Sequence, residues 1–193
     1  MLPTLNFSTE NENEQGDTVY VNKRAKIKQG DIIVLFSNEL KESIIKRCIA
    51  LGGQTVNIVG ENKIGTIDYG TKDDVIEIPD YDNYYVVVDG EILKENYIIE
   101  ESNPKVMEQE FRRFCFWKHK QGVKTQDIEK EITLKEDEVF ALGDNRKNST
   151  DSSSIGPFNK SEVIGRVDFI IYKNTSFIKE CLQKIMIIFI IKK

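Results

Sequence analysis

The chain is built from short β-branched and aromatic runs that alternate with glycine-bearing turns. These runs occupy residues 18–21, 31–36, 44–51, 55–59, 84–88, 91–93, 138–142 and 163–172. The Asp89-Gly90 pair between two of the runs is typical of a type I′ turn in a β-hairpin. Short strands separated by glycine turns predict an antiparallel barrel or sandwich.

Residues 99–132 interrupt this pattern, because they carry more charge and alternate less. We therefore expect a mainly all-β fold whose antiparallel barrel or sandwich core spans 1–56 and 139–172. An inserted α+β lobe is expected at 57–138, and it includes a hairpin at 84–97.

Residues 173–193 form an apolar tail, for which we expect a C-terminal helix. The tail's uninterrupted apolar run is 185–191, and a membrane span needs about 20 such residues. The helix is therefore expected to lie either on the core or on a membrane surface.

Length and charge exclude some classes of function. The 193 residues amount to about one domain, with room for an insertion. The 27 Lys and Arg residues against 32 Asp and Glu residues leave a net charge of -5. This balance provides no basic field for a nucleic-acid backbone, so no nucleic-acid partner is expected.

The cysteines and the single histidine do not indicate a metal or thiol site. Cys48, Cys115 and Cys181 cannot all pair, and their spacing matches neither a zinc ribbon nor a redox pair. We expect them to be buried as small apolar residues. His119 lies in a basic and aromatic stretch, which favours a solvated turn or strand end over a catalytic pocket.

Lys46 is the first candidate functional residue. In the 44–51 run, strand alternation puts Ile44, Lys46 and Cys48 on one face and Arg47 on the other. Loss of hydration on an apolar face lowers the pKa of a lysine, and an unprotonated lysine can act as a general base. The alternative is an edge-strand lysine that points to water and opposes aggregation. On this run alone we favour the edge-strand alternative, although the run does not decide the matter.

A second candidate segment, 143–152, directly follows the apolar run 138–142. Its Gly-Asp-Asn beginning predicts a tight turn, because Asn and Asp tolerate positive φ and bond their own backbone. The serines at 149 and 152–154 are equally compatible with a solvated loop. Taken by itself, this segment also leaves its function open.

Taken in order, the two segments resemble the bacterial type I signal peptidases, a family of membrane-bound Ser-Lys endopeptidases. Residues 30–34 resemble the family's first barrel strand, 45–53 its lysine box, and 88–97 its hairpin. Residues 143–156 resemble its most diagnostic box, and 165–172 its closing strand. The resemblance covers about residues 1–172.

The resemblance implies a role for each matching residue. Lys46 is implied to be the general base, and Ser149 to hydrogen-bond and orient its amine. The residues implied to hold the loop around them are Asp144, Asn145, Arg146 and Asp151. The residues implied to contact the substrate are Met1, Leu2 and Pro3.

The resemblance also implies partners and a location. The implied substrate is the signal-peptide region of exported preproteins, with small side chains near the cut. No metal and no organic cofactor is implied. The enzyme is expected to be a monomer at the extracytoplasmic face of the cell membrane.

The chain departs from the family in two places. The family's nucleophile box reads Ser-Met-x-Pro-Thr-Leu, whereas this chain opens Met-Leu-Pro-Thr-Leu at residues 1–5. We therefore expect the nucleophilic serine, and an anchor ahead of it, directly before Met1. A chain that begins at Met1 is then expected to be inactive. The other departure is Ser153, where the family carries an arginine that pairs with an acidic residue. Arg146 is expected to take over part of that arginine's role.

The residues leave several alternatives open. The chain could be an inactive relative, a product of processing at Met1, or a peptide-binding module that keeps the fold without the chemistry. LexA-like self-cleaving repressors also use Ser and Lys, but they carry a DNA-binding domain ahead of the protease. A Lys46 that titrates near 10 favours the module, and one that titrates well below favours retained catalytic geometry.

Overall fold

The computed structural model describes residues 17–98 and 107–171, which form two antiparallel sheets and two α-helices. The strands are β1 Thr18–Asn22, β2 Ile32–Ser37, β3 Glu42–Leu51, β4 Thr55–Thr71, β5 Asp74–Val88, β6 Glu91–Ile92, β7 Ile132–Thr133, β8 Glu138–Leu142, β9 Phe158–Asn159 and β10 Val163–Ile171. The helices are α1 Glu108–Lys120 and α2 Ser152–Ile155. The prediction of a mainly all-β antiparallel fold is confirmed.

The first sheet has the strand order β1-β10-β2-β3-β8-β9, and the second has the order β6-β5-β4-β7. The second sheet and α1 lie within the region expected to be an inserted lobe, although β4 begins at Thr55. The expected C-terminal helix at 173–193 lies outside the described residues, as do Met1, Leu2 and Pro3.

The long hairpin of β4 and β5 extends well beyond the predicted strands at 55–59 and 84–88. The outer part of β4 is mostly exposed and lacks the alternation by which a half-buried strand is recognised. The outer part of β5 does alternate, with Ile76 and Ile78 buried, although no strand was predicted there. The turn after β5 has the predicted type I′ form, because Asp89 and Gly90 both have positive φ, 50° and 80°.

β3 is an interior strand of the first sheet. It pairs with β2 on one side and with β8 on the other. The edge-strand interpretation of Lys46 is therefore wrong, because β3 is flanked by a strand on each side. Lys46 faces Ile33 of β2 in the register, and Arg47 faces Ile32 of β2 and Leu142 of β8.

Two apolar clusters cover opposite faces of the first sheet. The smaller contains Ile33, Leu35, Cys48, Val139, Ala141 and Phe158. The larger joins Ile49, Phe140 and Leu142 to the second sheet and to the inward face of α1. Alternate residues of β3 and β8 thus contribute to the two clusters. A shift of one residue would exchange the two faces, so burial of both faces fixes the register of these strands.

The expectation that His119 lies in a turn or at a strand end is wrong. The residue lies in the last turn of α1, where its ring pairs with Asp74 at 3.0 Å. Phe111, Phe114 and Cys115 of α1 are buried at helical spacing, but the aromatic and basic residues between them mask that pattern in the sequence. Cys48 and Cys115 are free and buried, as expected, and Cys181 lies outside the described residues.

Candidate active site

Lys46 lies against an apolar wall on β3. Its cross-strand partner Ile33 is fully buried, and partners in an antiparallel pair share one face of the sheet. Burial lowers the pKa of the Lys46 ammonium below its ordinary 10.5, while the carboxylates of Asp151, Glu42 and Asp144 act in the opposite direction. Desolvation is the larger effect, so the amine is more readily deprotonated than that of an exposed lysine.

Arg47, the next residue, points to the opposite face and binds Asp144. Its Nε and Nη2 donate to the two carboxylate oxygens at 2.9 and 2.7 Å, and both side chains are buried. Its Nη1 donates to the Gly30 carbonyl at 2.9 Å, and the guanidinium lies 3.8 Å from the centre of the Tyr97 ring. This bidentate ion pair ties the start of the loop after β8 to the strand that carries Lys46.

The loop then turns back upon its own first residue. A side-chain carbon at Gly143 would lie 2.2 Å from Ser149 Oγ, so only glycine fits there without displacing that hydroxyl. Ser149 Oγ is buried and has no hydrogen-bond partner among the described residues. The expected hydrogen bond between Ser149 and Lys46 is therefore not formed in this structure.

Asp151 organises the other end of the loop. It is fully buried and accepts hydrogen bonds from the backbone N–H of Gly143 at 2.9 Å and of Ser153 at 3.1 Å. The Ser153 hydroxyl also donates to it, at 2.8 Å. At position 153, where the family carries an arginine, a serine hydroxyl thus donates directly to the Asp151 carboxylate. Asp151 is also the N-terminal cap of α2.

Arg146 does not substitute for that arginine, contrary to expectation. Its buried guanidinium pairs with Glu95, with Nη1 3.0 Å from Oε2, and its Nε donates to the Gly143 carbonyl at 3.0 Å. Asn145 precedes the 3₁₀ turn Arg146–Asn148 and accepts the Asn148 N–H through its backbone carbonyl. Both residues therefore shape the loop rather than neutralise Asp151.

Four supporting residues were missed by sequence reasoning. Arg47 and Glu95 are the ion-pair partners of loop residues, and Arg113 of α1 donates to the Ser149 carbonyl at 2.6 Å. Each comes from a segment far from the loop in sequence, so local patterns carried no signal for the pairings. The fourth is Glu110, also on α1.

Glu110 is fully buried, and neither of its carboxyl oxygens has a hydrogen-bond partner among the described residues. Burial raises its pKa to about 8, and the Asp151 carboxylate adds to this effect, whereas Arg146 and Arg113 oppose it. Glu110 is therefore mainly protonated at neutral pH, so the interior beside Asp151 does not hold a second carboxylate.

Two properties of the described residues bear on the kind of site this is. Within residues 17–98 and 107–171, no helix is both long and apolar enough to span a bilayer. The same ranges contain no group of three or more His, Cys, Asp or Glu side chains suited to a metal ion.

The family model described as "Signal peptidase, peptidase S26" matches residues 3–172, which include β3, the loop and both sheets. The chain belongs to this signal peptidase family. Signal peptidase I P of Bacillus subtilis subsp. natto is 27% identical to it over 177 residues, which cover 89% of this chain and 72% of that protein. The probable signal peptidase I-1 of Synechocystis is 28% identical over 181 residues, which cover 88% and 65%.

A solved structure in the same family is also similar to this chain. The crystal structure of a signal peptidase I from Enterococcus faecalis aligns with a TM-score of 0.43 at 22% identity. The alignment covers 74% of this chain and 97% of that one.

The Arg47–Asp144 pair yields a stability prediction. Replacing Asp144 by Asn leaves a buried guanidinium without its counter-charge, which typically costs about 3–5 kcal/mol. As a matched control, Asp127→Asn breaks the exposed Asp127–Lys130 pair, for which about 0–1 kcal/mol is expected. Urea unfolding of both variants measures the difference, and equal losses would show that the buried pair does not stabilise the loop.

Glu110 yields a prediction about pH. Its pKa is raised from the ordinary 4.5 to about 8 on folding, so the native state binds this proton more tightly than the unfolded chain. Its stabilising contribution is complete below pH 4.5 and is lost as the pH rises towards 8. Glu110→Gln keeps the shape but cannot ionise, so its free energy of unfolding should exceed that of the wild type by an amount that grows with pH over this interval.

The measurement is chemical denaturation of the wild type and Glu110→Gln from about pH 4 to 8. Glu108→Gln serves as the control, because Glu108 is on the same helix turn but pairs with Arg112. The free energy of unfolding of Glu108→Gln, relative to wild type, should not increase with pH in this way. A constant difference between Glu110→Gln and wild type across the range would contradict a protonated Glu110.

Proposed function

We propose that this chain carries the catalytic lysine of a Ser-Lys peptidase that removes signal peptides from exported preproteins. The observation that carries the proposal is the half-buried, interior-strand position of Lys46, where loss of hydration lowers the pKa of its amine. Membership of the signal peptidase family supplies the reaction class. Neither support depends on a metal or an organic cofactor.

In the proposed mechanism, a serine hydroxyl attacks the carbonyl carbon of the scissile peptide bond, and its proton passes to the neutral Nζ of Lys46. The resulting ammonium returns this proton to the leaving amine as the C–N bond breaks. A water molecule then hydrolyses the acyl-enzyme by the same route, losing its proton to Lys46 and restoring the serine hydroxyl. The nucleophile is the serine that the family's box has directly before the residue that matches Met1.

Ser149 is proposed as a positioning residue. Its buried hydroxyl has no other hydrogen-bond partner among the described residues, so it is available to bind the Lys46 amine when the site closes on substrate. The loop contacts of Asp144, Asn145, Arg146 and Asp151 hold it beside β3. Met1, Leu2 and Pro3 are proposed to contact the substrate next to the nucleophile.

The proposed substrate is an extended peptide, since strand backbones beside the site can pair with it and shallow pockets can select small side chains. The proposed location is the extracytoplasmic face of the cell membrane, where the enzyme acts as a monomer. No nucleic acid takes part.

The test uses a form of the protein in which a serine directly precedes Met1, assayed on a peptide that spans a signal-peptide cleavage site. Lys46→Met keeps the apolar stem but removes the base, so kcat should fall by about 10²- to 10⁴-fold. Lys28→Met, at an exposed lysine in the turn before β2, should leave kcat unchanged.

Each outcome of this assay has a clear meaning. Cleavage that depends on both the added serine and Lys46 supports the Ser-Lys mechanism. Cleavage that survives Lys46→Met would rule out Lys46 as the base. Peptide binding without any cleavage in the serine-bearing form would instead favour a binding module.

A further inference from the structure

A cleft lies on the face of the first sheet that is covered by the smaller apolar cluster. It has a volume of about 350 Å³ and opens between the segment that joins β1 to β2 and the ends of three strands. Its walls include Ile27 of that segment, the cross-strand pair Leu51 and Val139, and Val163 at the start of β10. Val139 belongs to the buried cluster beneath the sheet, so the floor of the cleft is continuous with the apolar core.

The cleft's charged residues are all lysines. Lys23 and Lys26 come from the segment before β2, and Lys160 comes from the 3₁₀ turn before β10. Among the described residues that line the cleft, no acidic side chain opposes them. Lys160 Nζ also donates to the Glu136 carbonyl, which holds that side chain at the rim.

Three ammonium groups beside an apolar wall favour a ligand that has an anionic head and an apolar body, because each part meets its complement. A small anion without an apolar part would leave the apolar wall in contact with water. An uncharged hydrocarbon would form no ion pair with the lysines. The volume lies at the small end of ligand cavities, which suits one acyl chain rather than two.

We propose that this cleft is a binding site for a single-chain anionic amphiphile of the fatty-acid type. The carboxylate lies among Lys23, Lys26 and Lys160, and the chain lies along the wall of Ile27, Leu51 and Val163. Leu51 is five residues beyond Lys46 on β3, or about 17 Å along a strand. Gly165 of the cleft lies nearer, because its register partner Val34 pairs with Ile45, the residue before Lys46. The lining includes neither Lys46 nor Ser149, so binding in the cleft does not depend on peptidase chemistry.

The experiment is a titration of the ¹⁵N-labelled chain with decanoate, kept below its micellar concentration, and followed by amide chemical shifts. Decanol and acetate are titrated in parallel, because one lacks the charge and the other lacks the chain. Saturable shifts centred on residues 23–27, 51, 139 and 160–165 are expected with decanoate, with much weaker binding of the other two.

A lysine variant tests the head-group contacts. The triple substitution Lys23→Ser, Lys26→Ser and Lys160→Ser should weaken decanoate binding by about tenfold, because it removes the charges that face the carboxylate. The matched control replaces three exposed lysines elsewhere, Lys63, Lys72 and Lys124, and changes the net charge equally. This control should bind decanoate like the wild type.

Four outcomes would overturn the proposal. Acetate binding as tight as decanoate binding would reduce the site to a lysine cluster, and equal decanol binding would reduce it to an apolar hollow. Equal losses in the two triple variants would show only a general effect of charge. Association with anionic vesicles without any binding of monomeric decanoate would identify a membrane surface instead of a cleft.

Discussion

The ion pair between Arg47 and Asp144 determines where the loop after β8 lies relative to β3. Arg47 and Lys46 are neighbours on one strand, so their side chains leave opposite faces of the sheet. Leu142, the last residue of β8, pairs with Arg47, so the ion pair keeps the start of the loop beside β3. Asp151 of the same loop is close enough to influence the titration of Lys46. Both the lysine's surroundings and the fold of the loop therefore depend on one buried contact.

Several ionisable side chains of the site are buried, and burial changes the pKa values of two of them. Lys46 loses hydration on an apolar face, and three carboxylates do not fully offset this loss. Asp151 is fully buried with neutral donors around it, from Gly143 and Ser153. Glu110 keeps its proton, which avoids a second buried negative charge near Asp151.

The lysine-lined cleft has the opposite electrostatic character. There the lysines are exposed and remain hydrated, and the apolar wall beside them is part of the same cluster that desolvates Lys46 from within the sheet. One sheet face therefore serves two purposes. It supports a proposed base, and it also provides the floor of a proposed ligand site.

Much of the fold could be predicted from local sequence patterns. β8 begins and ends where its apolar run does, and the Asp89-Gly90 turn has the predicted form, because backbone chemistry and alternation decide both. The outer part of β4 was missed because its exposed residues have no buried face to reveal a period. The outer part of β5 was missed although Ile76 and Ile78 alternate and are buried, because acidic residues and a proline surround them in the sequence. His119 was misplaced because the helical spacing of α1 is masked by charged and aromatic neighbours.

The candidate site was predictable to a similar degree. Lys46 and the 143–156 loop could be singled out, since each has a local signature. The partners Arg47–Asp144 and Glu95–Arg146 could not, because tertiary contacts between distant segments select them. The absence of a hydrogen-bond partner at Ser149 Oγ among the described residues was equally unpredictable, because side-chain geometry decides it.

The most direct test of Lys46 as a desolvated base is the titration of its side chain, followed by NMR in protein labelled at the lysine ε-carbon and ζ-nitrogen. Lys46→Arg assigns the signal, and exposed Lys28 provides an internal reference. We predict that the pKa of Lys46 lies clearly below its ordinary 10.5 and below that of Lys28. A Lys46 that titrates at or above Lys28 would contradict this role, because the amine would then be a hydrated surface cation.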